Sequence, residues 1–229
     1  MLAKCNQPIS AGTMSTVWFS ADLHFGHSNI IKYCDRPFLS EEERAKAAVD
    51  PRGRWKVSAE SVRQHDDALL DAINSQVMPD DQFWILGDFC LGKHKDAKKY
   101  VDRIKCKNLN FVWGNHDHPS IGPLFQKTMQ QGLIKVKGQS IALNHYPLRS
   151  WDKRFHGSWS LYGHVHGRLS KFDAQNPALL TRDVGVDACE YCPISFEQLQ
   201  AWMEPRLKAF REMKQRIIDG VPLASDSLD

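Results

Sequence analysis

Residues 16–27 read TVWFSADLHFGH. A short apolar run, Val17–Ala21, delivers a carboxylate at Asp22 and an imidazole at His24. The same construction recurs four times. QFWIL (82–86) runs into Gly87 and Asp88, and LNFVW (109–113) into Gly114, Asn115, His116 and Asp117. SIALN (140–144) runs into His145, and SWSLY (158–162) into Gly163, His164, Val165 and His166. Each apolar run has the length of a buried strand. Open α/β sheets bind ligands just beyond the carboxyl ends of their strands. Five such ends carrying oxygen and nitrogen donors are therefore expected to converge on one place.

The intervals between these runs read as helices. Ser28 opens a helical turn over 29–33. Ser40 with Glu43 forms a capping box for a helix over 41–48. Val62, Leu69, Ile73 and Val77 share one face of a helix over 58–77. Ala97, Tyr100, Val101 and Ile104 mark the next helix, and 121–131 is expected to be helical. Residues 135–144 read as a hairpin turning at Lys137 and Gly138, and 181–186 as a strand. Ser195 and Gln198 form another capping box, opening a charged helix that reaches about Ile218. Strands alternating with helices give an α/β fold. The strand-rich second half predicts a mixed sheet or two packed sheets.

The donor types define the chemistry. Ten histidines occur in the chain, and five of them sit inside these clusters. The candidate ligands are Asp22, His24, Asp88, Asn115, His145, His164 and His166. Carboxylate oxygens mixed with imidazole nitrogens suit borderline divalent ions. Seven donors exceed the needs of one tetrahedral ion and match two ions sharing a bridge, for which Asp88 is the natural choice. Two ions about 3.5–4 Å apart clamp the attacking and leaving oxygens of an in-line displacement and make hydroxide available at neutral pH.

The ordered set DxH, GD, GNHD, a lone His and GHxH, running from Val17 to Leu199, resembles the calcineurin-like metallophosphoesterases. The surrounding HFGHSNII, RPF, HYPL, GHVHG and VGVD are similar to small stand-alone prokaryotic or phage-type members. The resemblance implies a four-layer αββα sandwich of two mixed β-sheets flanked by helices. It implies one domain over residues 1–229, with a core at about 16–200 and a C-terminal helix and tail from 196. One ion would be held by Asp22, His24, Asp88 and His166, the other by Asp88, Asn115, His145 and His164. His116 would be the catalytic acid and Asp117 would orient it. The ions would be divalent, with Mn²⁺ placed first and Fe²⁺, Zn²⁺ or Ni²⁺ as alternatives. After Asp88 the chain reads FCLGKHK, without the second Asp and Arg of the phosphoprotein phosphatases. That points to phosphodiesters (nucleotides, cyclic nucleotides or nucleic-acid ends), with phosphomonoesters also admitted. A nuclease on DNA or RNA, and a non-catalytic metal-binding module, are the alternatives.

Three further residues are candidates for substrate contact. His27 follows the first cluster and either lines the pocket or caps the helix at Asn29. Arg149 and Arg154 lie on the loop between two ligand motifs, where a guanidinium suits a phosphate. Arg36 reads as structural. Length and composition are those of a globular protein: 229 residues, 42% hydrophobic and 25% charged, which excludes a wholly disordered chain. A net charge of +3 is too small to indicate nucleic acid by itself. No apolar run reaches the ~18 residues of a membrane span, and the first sixteen residues lack a signal peptide's apolar stretch. The expectation is a cytoplasmic protein with no membrane partner, whose six cysteines, including those of Cys189-Glu-Tyr-Cys192, are free thiols.

Overall fold

The structure, a computed structural model, describes residues 15–220. Two mixed sheets form its centre, an α/β architecture as expected. In the first, β1 (Val17–Ser20), β2 (Gln82–Leu86), β3 (Asn108–Val112) and β4 (Lys127–Met129) run parallel. In the second, β5 (Gln131–Val136) pairs antiparallel with β6 (Gln139–Asn144). Parallel β7 (Trp159–Tyr162) and β8 (Thr181–Asp183) complete that sheet. The last strand, β9 (Ile194–Ser195), returns to the first sheet and lies antiparallel to β1. The strand orders are β4-β3-β2-β1-β9 and β5-β6-β7-β8.

The pleat sorts each strand of the first sheet between two cores. Trp18, Phe83, Ile85, Leu109 and Phe111 join one apolar cluster. There they meet Leu69, Leu70 and Ile73 of α3 (Ala59–Gln76) and Ala97 of α4 (His94–Val101). Phe19, Trp84, Leu86 and Val112 face the other way, onto Ile141, Leu143, Trp159 and Leu161 of the second sheet. Full burial of one such side chain contributes about 1.5–3 kcal/mol, so register errors that exchange the two faces are strongly penalised. On the far side, α5 (Ser170–Gln175) is tied to the second sheet by Asp173, whose carboxylate accepts from Tyr162 Oη at 2.6 Å and Thr181 Oγ1 at 2.8 Å. The long α6 (Phe196–Ile218) adds Phe196, Leu199, Met203 and Phe210 to the inter-sheet cluster. Two shorter helices, α1 (Ser28–Tyr33) and α2 (Glu41–Val49), sit between β1 and α3.

The capping boxes at Ser40 and Ser195 are present as read, and the β5–β6 hairpin turns at Lys137 (φ 46) and Gly138 (φ 89). The helix expected over 121–131 does not form. A 3₁₀ turn, Pro119–Leu124, is followed by edge strand β4. Pro123 disfavours helical backbone at Gly122 before it, and β3 offers an open edge that Lys127–Met129 fills. The strand expected over 181–186 stops at Asp183, and a 3₁₀ turn occupies Val186–Ala188. Cys34, Cys90, Cys106 and Cys189 carry free thiols, but Cys192 is disulfide-bonded, against the expectation for it. No helix among the described residues is long and apolar enough to cross a membrane.

Candidate metal centre

The carboxyl ends of β1, β2, β3, β6 and β7 come together at one end of the two sheets. Backbone bonds lace them. Asp22 N donates to Gly87 O at 3.1 Å and His24 N to Asp88 O at 2.9 Å, which carries the β1–β2 pairing past the strands. Gly163 N donates to His145 O at 2.9 Å, linking the ends of β7 and β6. Val186 N donates to Ala21 O at 3.1 Å, tying the first sheet to the second.

Six of the seven expected ligands fall into two groups whose donor atoms lie within 4.8 Å of one another: Asp22, His24 and His166; and Asp88, His145 and His164. Each group draws on both sheets. Asp88 Oδ2 joins the groups, 3.4 Å from His24 Nε2 and 3.4 Å from His145 Nε2. Its other oxygen, Oδ1, accepts from His116 N at 3.0 Å. The seventh, Asn115, places Oδ1 3.1 Å from His145 Nε2. Asp22 is fully buried and accepts His164 N on both oxygens, at 3.0 and 2.8 Å.

The backbone is held in an unusual state to achieve this. Asp22 (φ 57), His24 (φ 52), Asp88 (φ 55), His164 (φ 69) and His166 (φ 50) are all left-handed. That conformation costs a non-glycine residue roughly 1–2 kcal/mol, and such strain concentrates at functional sites. Gly163 is needed between β7 and His164: a Cβ there would stand 2.6 Å from Ala21 Cβ and 2.7 Å from Asp22 Oδ2.

The electrostatics follow from burial and pairing. Burial drives Asp22 up to about 7, against the pull of His166 and His145. Burial would also raise Asp88, but hydrogen bonding and attraction from His145, then His24, hold it far below the carboxylate range. His24 is pushed down to about 2 by burial, so it is neutral, and its Nε2 is buried without a hydrogen-bond partner. His145 Nδ1 faces Leu86 O at 2.9 Å, and a carbonyl only accepts, so Nδ1 carries a proton and Nε2, beside Asn115 Oδ1 and Asp88 Oδ2, is the nitrogen turned toward the site. An orphaned imidazole nitrogen beside carboxylate oxygens is the chemistry of a cation site, and these residues fit divalent ions.

His116 is exposed, its ring edge-on to His24 with centroids 5.3 Å apart. Asp117 does not reach it through a hydrogen bond among the described residues. The carboxylate of Asp117 accepts Asp88 N (2.8 Å), Phe89 N (2.9 Å) and Gly114 N (2.8 Å), which fixes the loop rather than the imidazole. His27 is the residue before α1, but its side chain makes no cap bond. Its ring stands 5.3 Å from that of His24 and 5.9 Å from that of His116, with Nδ1 buried and unpartnered. Arg149 is exposed. The Arg154 guanidinium engages its own loop: Arg149 O at 3.2 Å and the Trp151 and Phe155 rings.

Two neighbours of the site escaped the sequence reading. Asp187 Oδ2 accepts from His166 Nδ1 at 2.7 Å. That bond outweighs burial and raises His166 to about 10. The VGVD run containing Asp187 was the available signal. Tyr146, 43% exposed, stands 5.0 Å from the ring of His145 and 4.6 Å from that of His164. It follows a ligand directly, yet an aromatic after a histidine carries no distinctive pattern.

No protein-family model matches the chain. The gene 66 protein of Mycobacterium phage D29 is 27% identical over 208 residues, covering 76% of this chain and 89% of its own. The crystal structure of AQ665, a protein of unknown function from Aquifex aeolicus, matches with a TM-score of 0.59 and 21% identity, over 82% of this chain and 99% of that one. This likeness bears on the fold alone. MJ1445 of Methanocaldococcus jannaschii, described as uncharacterized, is 30% identical over 195 residues, which span 84% of this chain and 93% of the archaeal protein. At that identity and coverage, the chain belongs to the same family as MJ1445.

Proposed function

We propose that this protein is a dinuclear metal-dependent phosphoesterase of the calcineurin-like type, acting on phosphodiesters such as nucleotides, cyclic nucleotides or nucleic-acid ends. The observation that carries the reading is Asp88 Oδ2 standing 3.4 Å from both His24 Nε2 and His145 Nε2, between two donor groups of three. One ion would be held by Asp22, His24, Asp88 and His166, and the other by Asp88, Asn115, His145 and His164. Mn²⁺ is placed first, and Fe²⁺, Zn²⁺ and Ni²⁺ equally suit a set of carboxylate, amide and imidazole donors. When bound, such ions supply Lewis acidity and a nucleophile at neutral pH.

The chain's own residues do the rest. His116, on an exposed loop pinned by its amide to Asp88 Oδ1, presents an imidazole that can give a proton to a departing alkoxide. Asp117 fixes that loop through three backbone amides. His27 lines the same side and presents a neutral ring, since burial, then His116, lowers its pKa.

The test is a substrate panel with Mn²⁺, combined with a metal count on the purified protein. It contains nitrophenyl mono- and diesters, 2′,3′- and 3′,5′-cyclic nucleotides, and single-stranded DNA and RNA. Two ions per chain with diester turnover is the expected result. Activity on polymers that falls steeply with salt would make the protein a nuclease. Two ions with no turnover on any member would refute the enzyme reading and leave a binding module.

A further inference from the structure

Among the described residues Arg36 is the largest side chain that is fully enclosed, and every one of its five N–H donors has an acceptor. Nε donates to Asp187 Oδ1 at 2.9 Å. Nη2 donates to Asp187 Oδ2 at 2.7 Å and to Asp22 O at 2.8 Å. Nη1 donates to Leu23 O at 3.2 Å and meets His65 Nε2 at 2.7 Å. A guanidinium cannot accept, so His65 Nε2 must, and the His65 proton sits on Nδ1, where it donates to Asp66 Oδ1 at 2.8 Å. Asp66 in turn accepts Gly26 N at 3.1 Å and Tyr100 Oη at 2.8 Å. The chain of bonds therefore runs from α3 and α4, through Arg36, to the loop that leaves β1.

On its other side the network reaches His166. Asp187 is gripped by Arg36 with both oxygens and accepts His166 Nδ1 at 2.7 Å, which turns His166 Nε2 toward the donor cluster. One guanidinium thus supports one complete donor group. It holds the carbonyls of Asp22 and Leu23, the two residues before His24, where Asp22 and His24 have left-handed backbones, and the carboxylate behind His166. Among the described residues no bond joins Arg36 to the Asp88, His145 and His164 group. That group has supports of its own, Leu86 O behind His145 and the Asp117 carboxylate on the amide of Asp88, and it meets the loop held by Arg36 through the Asp22 carboxylate on the amide of His164 and through Asp88 beside His24.

We infer that Arg36 is the positioning residue for one half of the metal centre. It acts through Asp187 and the Asp22–Leu23 carbonyls, so the two half-sites can be uncoupled from behind. Loosening the Arg36–Asp187 pair weakens the ion at Asp22, His24 and His166, while the ion at His145 and His164 keeps its affinity. The inference rests on the two-ion reading proposed above.

Titration of the metal-free full-length chain with Mn²⁺, followed by calorimetry and by electron paramagnetic resonance, tests it. Asp187→Asn keeps the shape and removes the charge that Arg36 grips. Arg36→Lys keeps the charge but loses the planar fork that spans Asp187 and two carbonyls. Loss of such supporting partners weakens metal binding about 10- to 100-fold. In each variant one of two binding steps is expected to weaken by that factor and the other to stay within about twofold. At one equivalent of Mn²⁺ the spectrum should be that of an isolated ion. If Arg36→Lys does not fold, Asp187→Asn alone decides. Equal weakening of both steps, or no change in either, with a wild type that binds two ions, overturns this inference alone. A wild type that binds fewer than two ions refutes the two-ion reading and this inference with it.

Discussion

His116→Ala separates the chemistry of this site from its architecture. The amide of His116, not its ring, donates to Asp88 Oδ1 at 3.0 Å, and alanine keeps that bond. Truncation removes the edge-on contact with His24, at a centroid distance of 5.3 Å, worth about 0.5–1.5 kcal/mol at most. The fold and the metal content should therefore survive. A positioned general acid contributes typically 10²–10⁴-fold, which is about 2.7–5.5 kcal/mol of barrier. That whole term falls on esters whose leaving group departs as a basic alkoxide. A nitrophenolate leaves without protonation and should lose less than about tenfold. The assay is kcat/KM for an alkyl phosphodiester and a bis-nitrophenyl diester, wild type against variant, with metal content measured on both. Equal losses on the two substrates would refute the acid role for His116.

Asp88→Asn removes the charge from the oxygen shared by the two donor groups. It should cost both bound ions and all turnover, and full activity with two ions retained would take Asp88 out of the bridge. Tyr146→Ala removes an exposed ring beside His145 and His164. If that ring stacks on a nucleobase, KM for cyclic nucleotides should rise by an amount matching about 1–3 kcal/mol. Tyr146→Phe and alkyl substrates should be unaffected, and a uniform effect on all substrates would exclude stacking. Glu43 lies away from the site, accepting Ser40 N at 2.9 Å, Ser58 N at 2.5 Å and Ser61 Oγ at 2.5 Å. Burial would raise its pKa, but the Ser61 hydroxyl and the Ser40 and Ser58 amides outweigh it and lower the carboxyl from 4.5 to about 2. A depressed carboxyl stabilises above its unfolded pKa and loses that contribution as pH falls through the folded one. After solvent screening the contribution is about 1–2 kcal/mol. Urea melts of Glu43→Gln should therefore fall short of wild type by that amount near pH 7 and converge with it near pH 2. A gap independent of pH would refute the assignment.

The centre was legible because its parts are local. A strand ending in Asp or His shows itself within about eight residues, as at 17–24 and 158–166, and sheet topology then gathers the ends. The capping boxes at Ser40 and Ser195 were readable for the same reason. What lay hidden depends on distant pairing. Arg36 and Asp187 are 151 positions apart, and nothing near either announces that it will face the other. The stretch 121–131 has apolar spacing compatible with a helix, yet the free edge of β3 and the restriction that Pro123 places on Gly122 decide it. Asp117 was assigned by resemblance to a side-chain partner, whereas the structure gives it three backbone amides, which no sequence pattern distinguishes.

The division of each donor group between the two sheets bears on how the protein ages and turns over. Asp22 and His24 leave one sheet and His166 the other; Asp88 leaves the first, His145 and His164 the second. Each ion would then be a rivet through the seam of the sandwich, and opening the seam would require ejecting both. Ligand linkage makes a rivet at a hundred times its dissociation constant worth about 2.7 kcal/mol. Metal supply would in that case govern not only whether the protein works but how long it resists unfolding and proteolysis, so that starved cells would clear the idle form first.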